Sequence, residues 1–154
     1  MSAGASGRYT VLVVDDNPDL LFLVAESLGK LGNFTVVTAD NGAEGLERYY
    51  ETRPDCVIID VKMPGLDGYQ LVRALRGDPA TRATPLIILS ALIQERDRLA
   101  GLLSGADHYL MKPIAPADLI DVVSRVIAES VEQRQERERR FLAQVADEQA
   151  GEQH

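Results

Sequence analysis

The chain reads as an α/β doubly wound layer. Short apolar runs recur at strand length, they are rich in Val and Ile without polar alternation, and a segment of helical period follows each. Five such runs, Tyr9 to Val14, Phe34 to Ala39, Cys56 to Asp60, Leu86 to Ser90 and His108 to Met111, alternate with five helical segments. A strand covered on both faces needs no polar side, so a parallel sheet between two helical layers fits this pattern.

Element by element, the start signals agree. Asn17-Pro18 can cap and open the first helix, whose apolar positions Leu20, Val24, Leu28 and Leu31 fall on one stripe. Asp67, with Gln70 three residues on, resembles a capping box for the helix that carries Leu71, Val72 and Leu75. Pro116 sits in the first turn of the last helix, where Leu119, Val122, Val123, Val126 and Ile127 form a stripe that should pack on the sheet.

Beyond Ile127 the composition turns to Glu, Gln and Arg, and no Gly or Pro interrupts the chain from Ala117 until Gly151. The last helix is therefore expected to run on, from Pro116 to about Val145, roughly 45 Å in length, with its end projecting. Ile127, Val131, Arg134, Glu138, Phe141 and Val145 make a poor heptad seam because two of the positions are charged. Two readings stay open: a helix that binds a partner or a second copy as a homodimer, or a solvated, frayed tail. The organisation expected is a flexible tail over residues 1–8, one domain over 9–128, and over 129–154 an extension of the last helix ending in disorder.

With 154 residues, 45% hydrophobic and 26% charged, the chain has the make-up of one soluble globular domain plus an appendage. No apolar stretch approaches the length of a membrane span, and the first eight residues lack the apolar core of a secretory signal, so the cytoplasm is expected. A net charge of −8 argues against direct contact with nucleic acid and for protein partners. The single cysteine, Cys56, falls inside a strand-like run and reads as a small core residue.

Chemistry gathers where the strands stop. Asp15 and Asp16 follow Val11-Leu12-Val13-Val14, Asp60 follows Cys56-Val57-Ile58-Ile59, and Lys112-Pro113 follows Tyr109-Leu110-Met111. In a parallel sheet the carboxyl ends of the strands share one edge, where open α/β sheets bind ligands. Three carboxylates at one point repel each other unless a cation intervenes, and Mg²⁺ suits an all-oxygen set. Asp60 can then attack a phosphoryl group through one oxygen to give an acyl phosphate, with Lys112 neutralising charge and Ser90 offering its hydroxyl.

These positions carry a resemblance. Val13-Val14-Asp15-Asp16-Asn17, Asp60-Val61-Lys62-Met63-Pro64-Gly65-Leu66-Asp67-Gly68, Leu89-Ser90-Ala91, Gly105-Ala106-Asp107-His108-Tyr109 and Lys112-Pro113 together resemble the two-component response regulator receiver domain, the CheY-like type, from about Tyr9 to Ile127. The resemblance implies a flavodoxin-like (βα)5 sandwich with strand order 2-1-3-4-5 and a cis bond before Pro113. It implies that Asp60 is the phosphoacceptor, that Asp15, Asp16, Asp60 and the carbonyl of Lys62 hold Mg²⁺, and that Lys112 and Ser90 contact the phosphoryl group. A sensor histidine kinase or phosphotransfer protein is then the donor. Ser90 and Tyr109 become the switch that reshapes the face of the fourth helix, fifth strand and fifth helix for a downstream partner. Leu92, two residues after Ser90, cannot orient a water, so slow self-dephosphorylation is expected.

Other readings fit less well. A flavin-binding protein of the same layer order would open its first strand into a Ser/Thr/Gly loop, whereas Asp15-Asp16 would repel a phosphate. An aspartyl phosphatase would carry a second acid two residues after its nucleophile, where Lys62 stands. A receiver module of a larger regulator, its last helix a coiled-coil linker to an absent output domain, is the remaining alternative. Asp40, Asp55, Asp67 and Asp107 read as turn or capping residues, His108 and His154 as structural or solvated, and Arg137 to Arg140 as helix surface.

Overall fold

A computed structural model describes residues 8–152 other than 64, 66, 93 and 130. Residues 1–7 of the expected tail, Pro64 and Leu66 of the loop motif, and His154 lie outside the described residues. The strands are β1 (Thr10–Val14), β2 (Thr35–Ala39), β3 (Cys56–Ile59), β4 (Leu86–Ser90) and β5 (His108–Met111). They form one all-parallel sheet of order β2-β1-β3-β4-β5. The helices are α1 (Pro18–Glu26), α2 (Gly42–Thr52), α3 (Gly68–Gly77), α4 (Glu95–Ser104), α5 (Pro116–Ala128) and α6 (Val131–Glu152). The doubly wound, flavodoxin-like arrangement is the one expected, and the Lys112-Pro113 bond is cis.

Alternation of side chains along each strand splits the core into two layers. Leu12, Val14, Val57, Ile59, Leu86 and Ile88 pack with Tyr49 of α2 and Leu71, Val72 and Leu75 of α3. Val11, Val13, Cys56, Ile58, Ile87 and Leu89 point the other way, against Leu28 and the α5 stripe of Leu119, Val122, Val123 and Val126. Both faces of β1, β3 and β4 are buried, which is why their sequences show no polar alternation. Cys56 in β3 has no exposed surface, and burial pushes its thiol pKa up.

The caps act as read. The Asn17 side chain accepts from the N–H groups of Asp19 and Leu20, and Asp67 with Gln70 closes a reciprocal capping box at 2.9 Å in each direction. One member of the α1 stripe departs from expectation. Ser27–Leu31 is a π turn, in which the Gly32 N–H reaches the Ser27 carbonyl, and the extra residue in that turn swings Leu31 out to 70% exposure while Leu28 stays buried.

The uninterrupted helix expected from Pro116 to about Val145 is not what the structure has. Glu129 is extended, at φ −65° and ψ 129°, and ends α5. The chain then folds back as α6, anchored through Arg134 and Arg137 to Asp107 at the start of β5. Asp107, read as a turn residue, is instead the centre of a buried ionic cluster. Its carboxylate accepts from the Leu86 N–H at 2.7 Å, from Arg76 at 2.8 Å, from Arg134 at 2.8 Å and from Arg137 at 2.6 Å. Glu129 in turn accepts from Arg137 at 2.8 and 3.0 Å. Satisfying this carboxylate gives the chain a reason to break at Glu129 that no Gly or Pro announces. Arg137 is thus no plain surface residue, and Arg134, tied into the body of the protein, is withdrawn from any coiled-coil seam.

Candidate functional site

The carboxyl ends of β1, β3 and β5 meet at one edge because parallel pairing aligns them. The Asp60 N–H donates to the Val14 carbonyl at 2.9 Å, the Asp15 N–H to the Ala39 carbonyl at 3.1 Å, and the Lys112 N–H to the Ser90 carbonyl at 2.7 Å. These bonds bring Asp15, Asp16 and Asp60 together, each offering a carboxylate oxygen within 4.8 Å of the others. Asp15 and Asp60 are buried and Asp16 is exposed, so the cluster opens to solvent on one side. Beside it lies a cleft of ≈ 470 Å³ walled in part by Asp16, Lys62, Met63 and Tyr69.

Lys112 reaches back over this edge. Its Nζ donates to Asp15 Oδ2 at 2.8 Å and stands 3.7 Å from Asp60 Oδ1, leaving Asp60 the less neutralised of the two acids. Asp15 Oδ1 is also held by the Asn17 N–H at 2.9 Å. Burial, and then the neighbouring Asp15, raise the Asp60 pKa above its ordinary value, against the pull of Lys112 and of a hydrogen bond from the Lys62 backbone. An all-oxygen cluster with more negative charge than its single lysine offsets matches the donor set of a hard divalent cation.

Ser90, at the tip of β4, is almost wholly buried, and its Oγ accepts from the Leu92 N–H at 3.1 Å. Tyr109 donates its own hydroxyl to the Leu92 carbonyl at 3.0 Å. Its ring lies against α4, where a Cβ on Gly101 would come within 2.7 Å of it. Leu92 is half-buried against the α2–α3 layer of the core.

Every site residue picked out in the sequence therefore lies at one end of the sheet or on the β4–β5 side leading from it. Sequence reasoning passed over Gly68. A Cβ there would lie 2.3 Å from the Asp60 carbonyl oxygen, so only glycine lets the start of α3 approach the acceptor loop so closely. Its position in the loop motif was the available signal.

The family model for the response regulator receiver domain matches residues 11–124. The chain belongs to the response regulator receiver family. It is 44% identical over 127 residues to the transcriptional regulatory protein PrrA of Mycobacterium leprae, an alignment covering 82% of this chain and 53% of that protein. It is also 37% identical over 118 residues to PilH of Pseudomonas aeruginosa, covering 77% of this chain and 97% of PilH. The chain thus spans about half the length of PrrA and nearly all of PilH. Among solved structures, a response regulator of Chloroflexus aurantiacus described as putative superposes with a TM-score of 0.74 at 34% identity, covering 79% of this chain and 99% of that one. The chemotaxis protein CheY4 of Vibrio cholerae gives 0.72 at 32% identity, with 77% and 98% covered. In this receiver domain α6 lies beyond the matched residues, and no helix among the described residues is long and apolar enough to cross a membrane.

Proposed function

We propose that Asp60 of this receiver accepts a phosphoryl group from a phosphohistidine of a sensor histidine kinase or phosphotransfer protein, and that the acyl phosphate so formed switches the α4–β5–α5 surface toward a downstream partner. An Asp60 oxygen attacks phosphorus, the P–N bond to the donor imidazole breaks, and that imidazole leaves with the bonding pair and takes up a proton. The observation that carries this reading is the convergence of Asp15, Asp16 and Lys112 on the half-neutralised Asp60. Asp15, Asp16 and Asp60 with the Lys62 carbonyl would hold Mg²⁺, which when bound supplies positive charge to the phosphoryl oxygens. The chain catalyses its own modification and is a switch, not an enzyme acting on a separate substrate.

Lys112 sits close enough to hold one phosphoryl oxygen once Asp15 is otherwise satisfied, and its ammonium fixes the direction of the incoming group. A dianion on Asp60 attracts the Ser90 hydroxyl away from the Leu92 N–H. Tyr109, joined to Leu92, the residue whose N–H Ser90 holds, then repacks against Gly101, which carries the change into α4.

Incubation with Mg²⁺ and acetyl phosphate, followed by intact mass measurement, tests the chemistry. One added phosphoryl group is expected, absent from Asp60→Ala and absent when the metal is chelated. Retention of the added mass by Asp60→Ala would assign the acceptor elsewhere.

A further inference from the structure

The connection from β4 to α4 is fastened by a tyrosine at each end. At the first end the Tyr109 hydroxyl donates to the Leu92 carbonyl at 3.0 Å, and the Leu92 N–H donates to Ser90 Oγ at 3.1 Å. At the other end the Tyr69 hydroxyl donates to the carbonyl of Asp97, in the first turn of α4, at 3.2 Å. Asp97 also closes the start of that helix, its carboxylate accepting from the Gln94 N–H at 3.3 Å and its own N–H donating to the Gln94 carbonyl at 3.0 Å. A grip on Asp97 is therefore a grip on the whole junction.

The root of Tyr69 is fixed from the opposite side. It follows Gly68, whose N–H donates to the Val61 carbonyl at 3.1 Å and whose backbone lies so close to that of Asp60 that a Cβ would come within 2.3 Å of the Asp60 carbonyl oxygen. The Tyr69 ring packs on the α2–α3 layer of the core, as Leu92 and Tyr109 do. Held in this way the side chain cannot follow α4, so displacement of the first turn breaks the bond to Asp97. Burial pushes the phenol pKa up to about 12, and the hydroxyl keeps its proton and stays a donor near neutral pH. Little else seats α4: of its residues only Gly101 is buried, and Leu103 is exposed. On so lightly held a helix one hydrogen bond, equivalent to about a threefold to tenfold change in an equilibrium, carries weight.

We propose that Tyr69 is a positioning residue: its hydroxyl latches the first turn of α4 to the acceptor loop and holds the β4–α4 connection in its unphosphorylated arrangement. This rests on the reading of Asp60 as phosphoacceptor and adds the group that sets how readily the chain takes the phosphoryl group. For Ser90 to turn toward Asp60 it gives up the Leu92 N–H, and the connection then shifts between the two tyrosines. The Tyr69 bond opposes that shift, and the acyl phosphate has to break it. A tyrosine that only filled the core would act through its ring and have no use for the hydroxyl.

Tyr69→Phe removes the hydroxyl and keeps the ring. In a time course of intact mass with acetyl phosphate and Mg²⁺, this variant should gain the phosphoryl group about three to ten times faster than the parent, at an unchanged half-saturating Mg²⁺ concentration. Without a phosphodonor, the amides of Leu99, Ala100 and Gly101 should exchange with solvent faster by a similar factor, while that of Ile58, which reports the fold as a whole, changes less. Tyr50→Phe, which loses an exposed hydroxyl bond of 2.7 Å to Asp78, should match the parent in both measurements. An equal or slower rate in Tyr69→Phe, or a faster rate without faster exchange in α4, would overturn the proposal. So would faster exchange with no gain in rate, since the bond would then serve α4 alone. A parent that takes no phosphoryl group would sink the Asp60 reading first, and the exchange comparison would still decide whether Tyr69 holds α4.

Discussion

Asp60 is set apart from its neighbours by what surrounds it. Burial and Asp15 raise its pKa more than Asp16 does, because Asp16 is exposed to water. A group whose ionised form is disfavoured in the folded state holds that state back at neutral pH. In metal-free protein Asp60→Asn should therefore raise the Tm by about 2–4 °C, equivalent to about 1 kcal/mol, and Asp16→Asn by less, while both weaken Mg²⁺ binding. Differential scanning calorimetry with and without the metal reads both. A larger gain from Asp16→Asn would mean that the cluster is organised differently. Gly68→Ala tests the other side of the site: its Cβ meets immovable backbone at Asp60, so a loss of about 3 kcal/mol in urea unfolding is expected, with slower phosphorylation. Leu92 brings no polar atom on its side chain to the acceptor, and Leu92→Gln should shorten the phosphoryl lifetime in a phosphate-release assay.

At the scale of the element, the ionic cluster that pins α6 is the feature with the clearest energetic signature. Burial by itself would raise the pKa of Asp107, but Arg76 and Arg134, with Arg137, overcome it and hold the carboxyl below its ordinary value. The same burial brings the Arg76 guanidinium down to about 10 even with Asp107 beside it. A carboxylate depressed on folding contributes stability that is complete above its unfolded value of about 3.9 and is lost as pH falls through the lower folded value. Asp107→Asn should cost about 3 kcal/mol at pH 7, the low end for a broken buried pair because Arg134 and Arg137 can swing into water. The gap to the parent should persist down to about pH 4 and close below it. A gap that already closes near pH 6 would point to another group. This cluster also marks where reading the sequence stopped working. The five strands, the caps at Asn17 and Asp67, and the acidic edge were legible because periodicity, capping pairs and strand-end charges are local signals. Asp107, Arg76 and Arg134 are drawn from three separate stretches of chain, and nothing near Glu129 forecasts a break whose cause lies in the bend just before β5. Leu31 was misplaced for a related reason, since a π turn leaves no residue-type mark.

Across the whole molecule, stability is layered. The central strands β1, β3 and β4 are buried on both faces, whereas α6 is held mainly by polar contacts near its start. Native-state hydrogen exchange should rank accordingly, with the amides of Val57, Ile58 and Ile87 slowest and those of α6 beyond Arg140 fastest. Uniform protection along α6 would show that its far end is covered too. The two halves of the architecture are thus held differently: a rigid sheet keeps the acidic edge in register, and a looser appended helix is tied to it through Asp107.

Cys56, enclosed on every side in β3, gives the experimenter a quiet background. Maleimide dyes and nitroxides need an accessible thiolate, and this protein offers none until one is engineered in. A thiol introduced by Leu142→Cys on the open side of α6 could be tagged alone, turning that helix into a reporter of its own motion.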